Sequence, residues 1–161
     1  MTAGRAPFDA AAPLPTAPDF KLGLRVYWED TDAGGVVFYA NHLKFFERAR
    51  TEWLRSLGFS QEQLRLDSGT IFVVADTSIR YLRPARLDDL LDVDVRLLHA
   101  GRASMSLAQQ TWRPAPTESA DSADSSAGPS LLCEGSIRIG CVDAASFRPK
   151  RIPTDLLTAL Q

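Results

Sequence analysis

From residue 22 the chain alternates apolar and polar positions: Leu22, Leu24, Val26 and Trp28 fall on one side, which predicts a strand over 22–28. The period then lengthens. Between Asn41 and Leu57, the apolar residues Leu43, Phe46, Ala49, Trp53, Leu54 and Leu57 recur every third or fourth position. Lys44, Glu47, Arg48, Arg50, Glu52 and Arg55 occupy much of the remainder. This spacing predicts one long amphipathic helix, with Asn41 near its N-cap and Gly58 at the C′ position. Gln61–Leu66 adds a short helical turn, and the rest reads as strand. Residues 71–82 are rich in β-branched and aromatic side chains and stop before Pro84. Across 90–98, Leu91, Val93, Val95 and Leu97 alternate with Asp92, Asp94, Arg96 and Leu98, after a turn at Asp88-Asp89. Residues 104–112 and 131–142 complete an antiparallel run, and Pro153–Leu160 closes with a short helix. One long helix and about five antiparallel strands make an α+β domain.

Two stretches fall outside this pattern. Residues 1–20 are rich in Ala and Pro and read as a flexible tail. Residues 113–130 hold no aromatic or large aliphatic side chain, so they bury nothing. Strands flank them on both sides, which makes them a lengthened hairpin loop inside a single domain spanning 21–161. A single long helix covers only part of one sheet face, and a second copy of the chain is the simplest cover for the remainder.

Composition narrows the function. The 161 residues are 45% hydrophobic and 24% charged, as in one globular domain with a real core. Acids outnumber bases 20 to 18, so the basic excess typical of nucleic-acid binding is absent. No run approaches the roughly 18 unbroken apolar residues of a membrane span, and no secretory apolar block opens the chain; the expected compartment is the cytoplasm. Cys133 and Cys141 lie on one predicted strand, about 26 Å apart if extended, far beyond the ~5.5 Å of a disulfide. They read as small buried hydrophobes. With only two His and no Cys-x-x-Cys pair, no metal site is expected. Gly34-Gly35 lacks the spacing of a phosphate-binding loop, and no cofactor is implied.

The chemistry concentrates in residues 28–43, Trp-Glu-Asp-Thr-Asp-Ala-Gly-Gly-Val-Val-Phe-Tyr-Ala-Asn-His-Leu, which join the first strand to the helix. Three carboxylates and two glycines are packed into a tight turn. Val36, Val37 and Phe38 then return the chain to apolar surroundings. A carboxylate held here lies beside the free N-terminal amides of the helix, donors suited to polarising a carbonyl. The same residues also suit a plain turn built from Asx hydrogen bonds.

Residues 29–41 and the following Phe-Phe-Glu-Arg-Ala-Arg-Thr-Glu-Trp-Leu of 45–54 closely resemble the 4-hydroxybenzoyl-CoA thioesterase family. The nearer likeness is to its Tol-Pal-associated (YbgC-type) acyl-CoA thioesterase branch. Tyr81-Leu-Arg-Pro-Ala-Arg-Leu-Asp-Asp-Leu-Leu and the Gly101-Arg102-Ala103-Ser104 turn add weaker matches. The resemblance implies a hotdog fold, in which an antiparallel sheet wraps a central helix, and assembly as a homodimer or homotetramer. It implies that Asp32 is the catalytic carboxylate and that the backbone N–H of Tyr39 polarises the thioester carbonyl of an acyl-CoA. Asp32 then serves as general base on water, or attacks directly to give a mixed anhydride. Gly34, Val37 and His42 are the candidate substrate contacts at this turn, and Arg102 is the first candidate for the CoA phosphates, ahead of Arg83 and Arg86. Asp30 reads as turn structure, Glu47 as an ion-pair or interface residue and His99 as an exposed strand end. Two other readings stand beside acyl-CoA hydrolysis: hydrolysis of acyl-carrier-protein thioesters, and a non-enzymatic acyl-binding module.

Overall fold

Apolar residues at every second position along three successive strands give the sheet one greasy face, and the long helix lies on it. In the computed structural model, which describes residues 17–115 and 128–160, the elements follow in the order β1 (Phe20–Arg25), α1 (Asn41–Ser56), α2 (Gln61–Ser68), β2 (Thr70–Tyr81), β3 (Leu90–Ala100), β4 (Ser104–Arg113), β5 (Ser130–Asp143) and α3 (Thr154–Ala159). A 3-10 turn, Trp28–Asp30, follows β1. Most of the expected N-terminal tail and of the 113–130 insertion lies outside the described residues. The five strands form one antiparallel sheet in the order β1-β3-β4-β5-β2, so β1 and β2 are its edges. This is the α+β hotdog arrangement, with α1 packed on the sheet against β1, β3 and β4.

The core lies between α1 and that face. Leu91, Val93 and Val95 of β3, Met105 and Leu107 of β4 and Ile137 and Ile139 of β5 meet Phe45, Phe46, Ala49, Trp53 and Leu54 of α1 in one buried cluster. A polar pin crosses it: the Gln109 side chain donates to the Phe46 carbonyl at 3.0 Å and accepts from Arg50 at 2.7 Å. Gly135 makes room for the helix, since a Cβ there would stand 3.0 Å from the Phe46 ring and 2.8 Å from the Ser78 carbonyl. The opposite face of β3 and β4 is also closed. Asp94 and Arg96 are buried as an ion pair at 2.9 Å, and Gln110 joins both. Cys133 and Cys141 are buried free thiols on β5.

Two sequence expectations shift. Trp28 is 80% exposed instead of facing the core, because the strand ends at Arg25 and the chain winds into the 3-10 turn. Leu43 is half-exposed, and His42 and Phe45 are buried in its place, while Phe46, Ala49, Trp53 and Leu54 hold the expected face. Asn41 lies next to the N-cap, Ala40, as expected; it is the first helical residue, and its side-chain amide donates to the Asp30 carbonyl at 2.9 Å. Gly58 does take the left-handed conformation that ends α1, at φ 89°. The helical turn after it extends to Ser68 and is closed by Gly69 at φ 61°.

Candidate active site

The glycine-rich turn is a small hairpin. Asp32 N–H donates to the Val36 carbonyl at 2.9 Å and Gly35 N–H to the Asp32 carbonyl at 3.0 Å, with Gly35 at φ 73°. Thr31 bridges to Val37 across its base. The Asp32 carboxylate is exposed and accepts the Gly34 N–H at 2.8 Å, an Asx bond that holds its side chain over the turn. A Cβ on residue 34 would meet that carboxylate oxygen at 3.0 Å, so Gly34 touches Asp32 itself. Val37 is buried, and its N–H donates to the Ala85 carbonyl at 2.8 Å, docking the hairpin on the segment after β2.

Asp30 does the structural work. Its buried carboxylate accepts the Tyr27 N–H at 2.8 Å, and its carbonyl takes both the Phe38 N–H and the Asn41 side chain at 2.9 Å. These bonds tie the hairpin to the first turn of α1, as expected for a turn residue.

Two bonds then order the helix start. Asn41 N–H donates to the Phe38 carbonyl at 2.8 Å, and the Tyr81 hydroxyl donates to the Tyr39 carbonyl at 2.9 Å. In a trans peptide the N–H points away from the C=O, so pinning the Phe38 carbonyl aims the Tyr39 N–H the other way. That N–H donates to no group among the described residues. It is a free donor at the positive end of a 16-residue helix.

Beside it lies a cleft of about 310 Å³, lined chiefly by Val36, Val37, Tyr39, His42, Tyr81 and Arg83. The His42 ring packs 5.8 Å from Phe45 and 5.7 Å from Tyr81, centroid to centroid. The residue is 3% exposed and its Nδ1 has no hydrogen-bond partner. Burial pulls its pKa down to about 4, so the imidazole is neutral at ordinary pH. An unpartnered buried polar atom costs about 1–3 kcal/mol.

The hairpin, the helix start and the end of β2 thus bring Val37, Tyr39 and His42 to one cleft, while Asp32 and Gly34 contact each other on the adjoining hairpin and are not among the residues that line it. Arg102 is elsewhere. It is exposed in the β3–β4 hairpin, where its carbonyl accepts the Ile152 N–H at 2.8 Å. From Ser104 to Trp112, the length of β4 puts it about 27 Å from the end of the sheet that carries Tyr81. Arg83 does line the cleft, and its guanidinium donates to the Leu131 carbonyl at 3.0 Å. Glu47 faces a different groove, of about 390 Å³, with Leu43, Lys44, Arg50, Val74 and Thr77, and accepts a bond from Thr51 at 2.7 Å. His99 is exposed. Tyr81 is the site residue that sequence reasoning missed: its role depends on a contact across 42 residues, for which a tyrosine at a strand end gives no signal. Among the described residues no cluster of three or more His, Cys, Asp or Glu could hold a metal, and no helix is long and apolar enough to cross a membrane.

The family model of the thioesterase superfamily matches residues 34–120. The acyl-CoA thioesterase YbgC of Haemophilus influenzae is 36% identical over 140 residues, covering 87% of this chain and 93% of that protein. Among solved structures, a probable thioesterase from Bartonella henselae superposes with a TM-score of 0.69 at 31% identity, over 83% of this chain and 98% of the other. A 4-hydroxybenzoyl CoA thioesterase complexed with 4-hydroxybenzoyl CoA shares the fold, with a TM-score of 0.74 at 16% identity over 88% of this chain and 97% of the other. The chain belongs to the thioesterase superfamily, among its YbgC-type members.

Proposed function

We propose that this YbgC-type member of the thioesterase superfamily hydrolyses acyl-CoA thioesters to the free acid and CoA, with Asp32 as its catalytic carboxylate and the Tyr39 N–H as the donor to the thioester carbonyl. The observation that carries the reading is the free, pre-aimed Tyr39 amide beside the cleft, one hairpin away from an exposed carboxylate. As charge develops on the carbonyl oxygen, a fixed backbone donor stabilises it without reorganising. Asp32, in contact with solvent, takes a proton from the attacking water as the new C–O bond forms. The C–S bond then breaks and CoA leaves as a thiolate, whose conjugate acid has a pKa near about 8.5, so no strong general acid is needed. A pre-steady-state burst of CoA would reassign Asp32 as a nucleophile that forms an anhydride.

His42, neutral and unpartnered, is a polar wall of the acyl or thioester site, with Val37 as its apolar neighbour. Arg83 stands at the cleft mouth, where it meets the nucleotide end of CoA. Arg102, at the far end of the sheet, serves a site only in a second copy of the chain. A second copy also covers the edge of β2, which has no neighbour among the described strands, and the groove between α1 and β2, so the active form is a homodimer or a higher homo-oligomer.

Release of free CoA thiol from short, long and aromatic acyl-CoAs tests this, with the wild type run beside Asp32→Asn. The variant is expected to lose about 10²- to 10⁴-fold in turnover while keeping its fold and assembly. Full activity in folded Asp32→Asn removes Asp32 from the mechanism. A wild type inert to every CoA ester but active on an acyl-carrier-protein thioester changes the substrate class.

A further inference from the structure

An amide that stabilises developing charge has to hold its direction, and the two sides of Tyr39 are held in different ways. On its N-terminal side the Phe38–Tyr39 peptide is tied locally, by the Asn41 N–H on the Phe38 carbonyl at 2.8 Å. On its C-terminal side the tie comes from another element. The Tyr39 carbonyl accepts the hydroxyl of Tyr81, the last residue of β2, at 2.9 Å. Turning about the Tyr39 N–Cα bond changes the angle between the Tyr39 N–H and the Tyr39 carbonyl, so with the Phe38 and Tyr39 carbonyls both pinned that rotation is resisted. The Tyr81 ring is itself seated, edge-on to Tyr39 at 6.3 Å and 5.7 Å from His42. All three rings line one cleft.

We propose that Tyr81 is a positioning residue for the hydrolysis assigned above: its hydroxyl clamps the Tyr39 carbonyl, so that the Tyr39 N–H is already oriented when charge develops on the thioester oxygen. The inference rests on the acyl-CoA reading. Tyr81 need not touch the reacting atoms, since its hydroxyl is committed to the protein backbone. Partial burial raises its pKa above the ordinary tyrosine value, so the phenol keeps the proton it donates.

Tyr81→Phe removes the hydroxyl and keeps the ring. A clamp that acts only as charge develops lowers kcat and kcat/KM together and leaves KM alone. The expected result is a fall in kcat of about tenfold, with KM within about twofold of wild type. The Tyr39 amide, followed by 15N relaxation in the substrate-free protein, shows a lower order parameter in the variant. Unchanged kcat, or a raised KM at unchanged kcat, overturns the proposal, as does an unchanged order parameter at Tyr39. The relaxation measurement needs no substrate. A wild type that hydrolyses no acyl-CoA therefore sinks the functional reading, while the clamp is still judged on relaxation.

Discussion

His42 shows how much one position on a helix decides. Because the buried stripe of α1 starts at residues 41 and 42, the imidazole is turned inward, while Leu43 is turned toward solvent. A thermodynamic consequence follows from its pKa, which moves from the ordinary 6.5 to about 4 in the folded chain through burial. Between those values the unfolded chain binds a proton that the native chain does not. His42 therefore leaves stability intact above pH 6.5 and erodes it as the pH falls through that window. Between about pH 7 and pH 4.5 the wild type should lose on the order of 2 kcal/mol from this group alone. Other groups titrate there too, so the quantity to read is a difference. Denaturant unfolding of wild type and His42→Gln at both pH values should show the variant losing less stability by about that amount. Equal losses would mean that the ring titrates normally. In the same way, His42 contributes no ionisation step to the turnover profile above about pH 5.5, because the neutral form already dominates there.

At the scale of the elements, order and type were legible in the sequence because they rest on period alone. The switch from alternation to a three-to-four repeat marks α1, and the return to alternation marks β2 to β5. The details that failed were set by contacts between segments. Trp28 continues the alternation of β1 on paper, but Asp30 captures the Tyr27 amide and turns the chain first. Asn41 was legible near the helix start, while the bond of its side chain to the Asp30 carbonyl, eleven residues back, was not. The stretch that holds Asp32 and Tyr39 was legible as a turn from strand to helix, whereas the bond from Tyr81 to the Tyr39 carbonyl was not, since nothing local specifies which carbonyl a strand-end hydroxyl reaches. One element-level contact is exacting: β5 passes α1 at Gly135, where a Cβ would collide with the Ser78 carbonyl and press the Phe46 ring. Gly135→Ala should therefore lower stability by about 1–3 kcal/mol, visible as a lower thermal midpoint. A neutral result would show that α1 and β5 separate more readily than their packing implies.

For the whole molecule, the sheet's unfinished side is the question. β2 runs 12 residues along an edge with no neighbour among the described strands, and Val74 on it is 53% exposed. Between that edge and α1 lies the groove of about 390 Å³ lined by Leu43, Val74 and Ile137. A long edge beside an apolar groove invites another strand or helix, and a chain that stays in solution must either blunt it or cover it. A second copy offers the same edge and the same groove, so one isologous contact covers both at once. Arg102, remote from Tyr39 in its own chain, could reach a cleft only across a contact between copies. Sedimentation equilibrium should accordingly find a dimer or a multiple of it. Val74→Asp should weaken that association at least tenfold, because a carboxylate on the contact must lose water without gaining a partner. If turnover per chain falls in step with dissociation, the partner completes the site. If the Val74→Asp monomer keeps full kcat, the cleft beside Tyr39 is sufficient by itself, and Arg102 has no part in it.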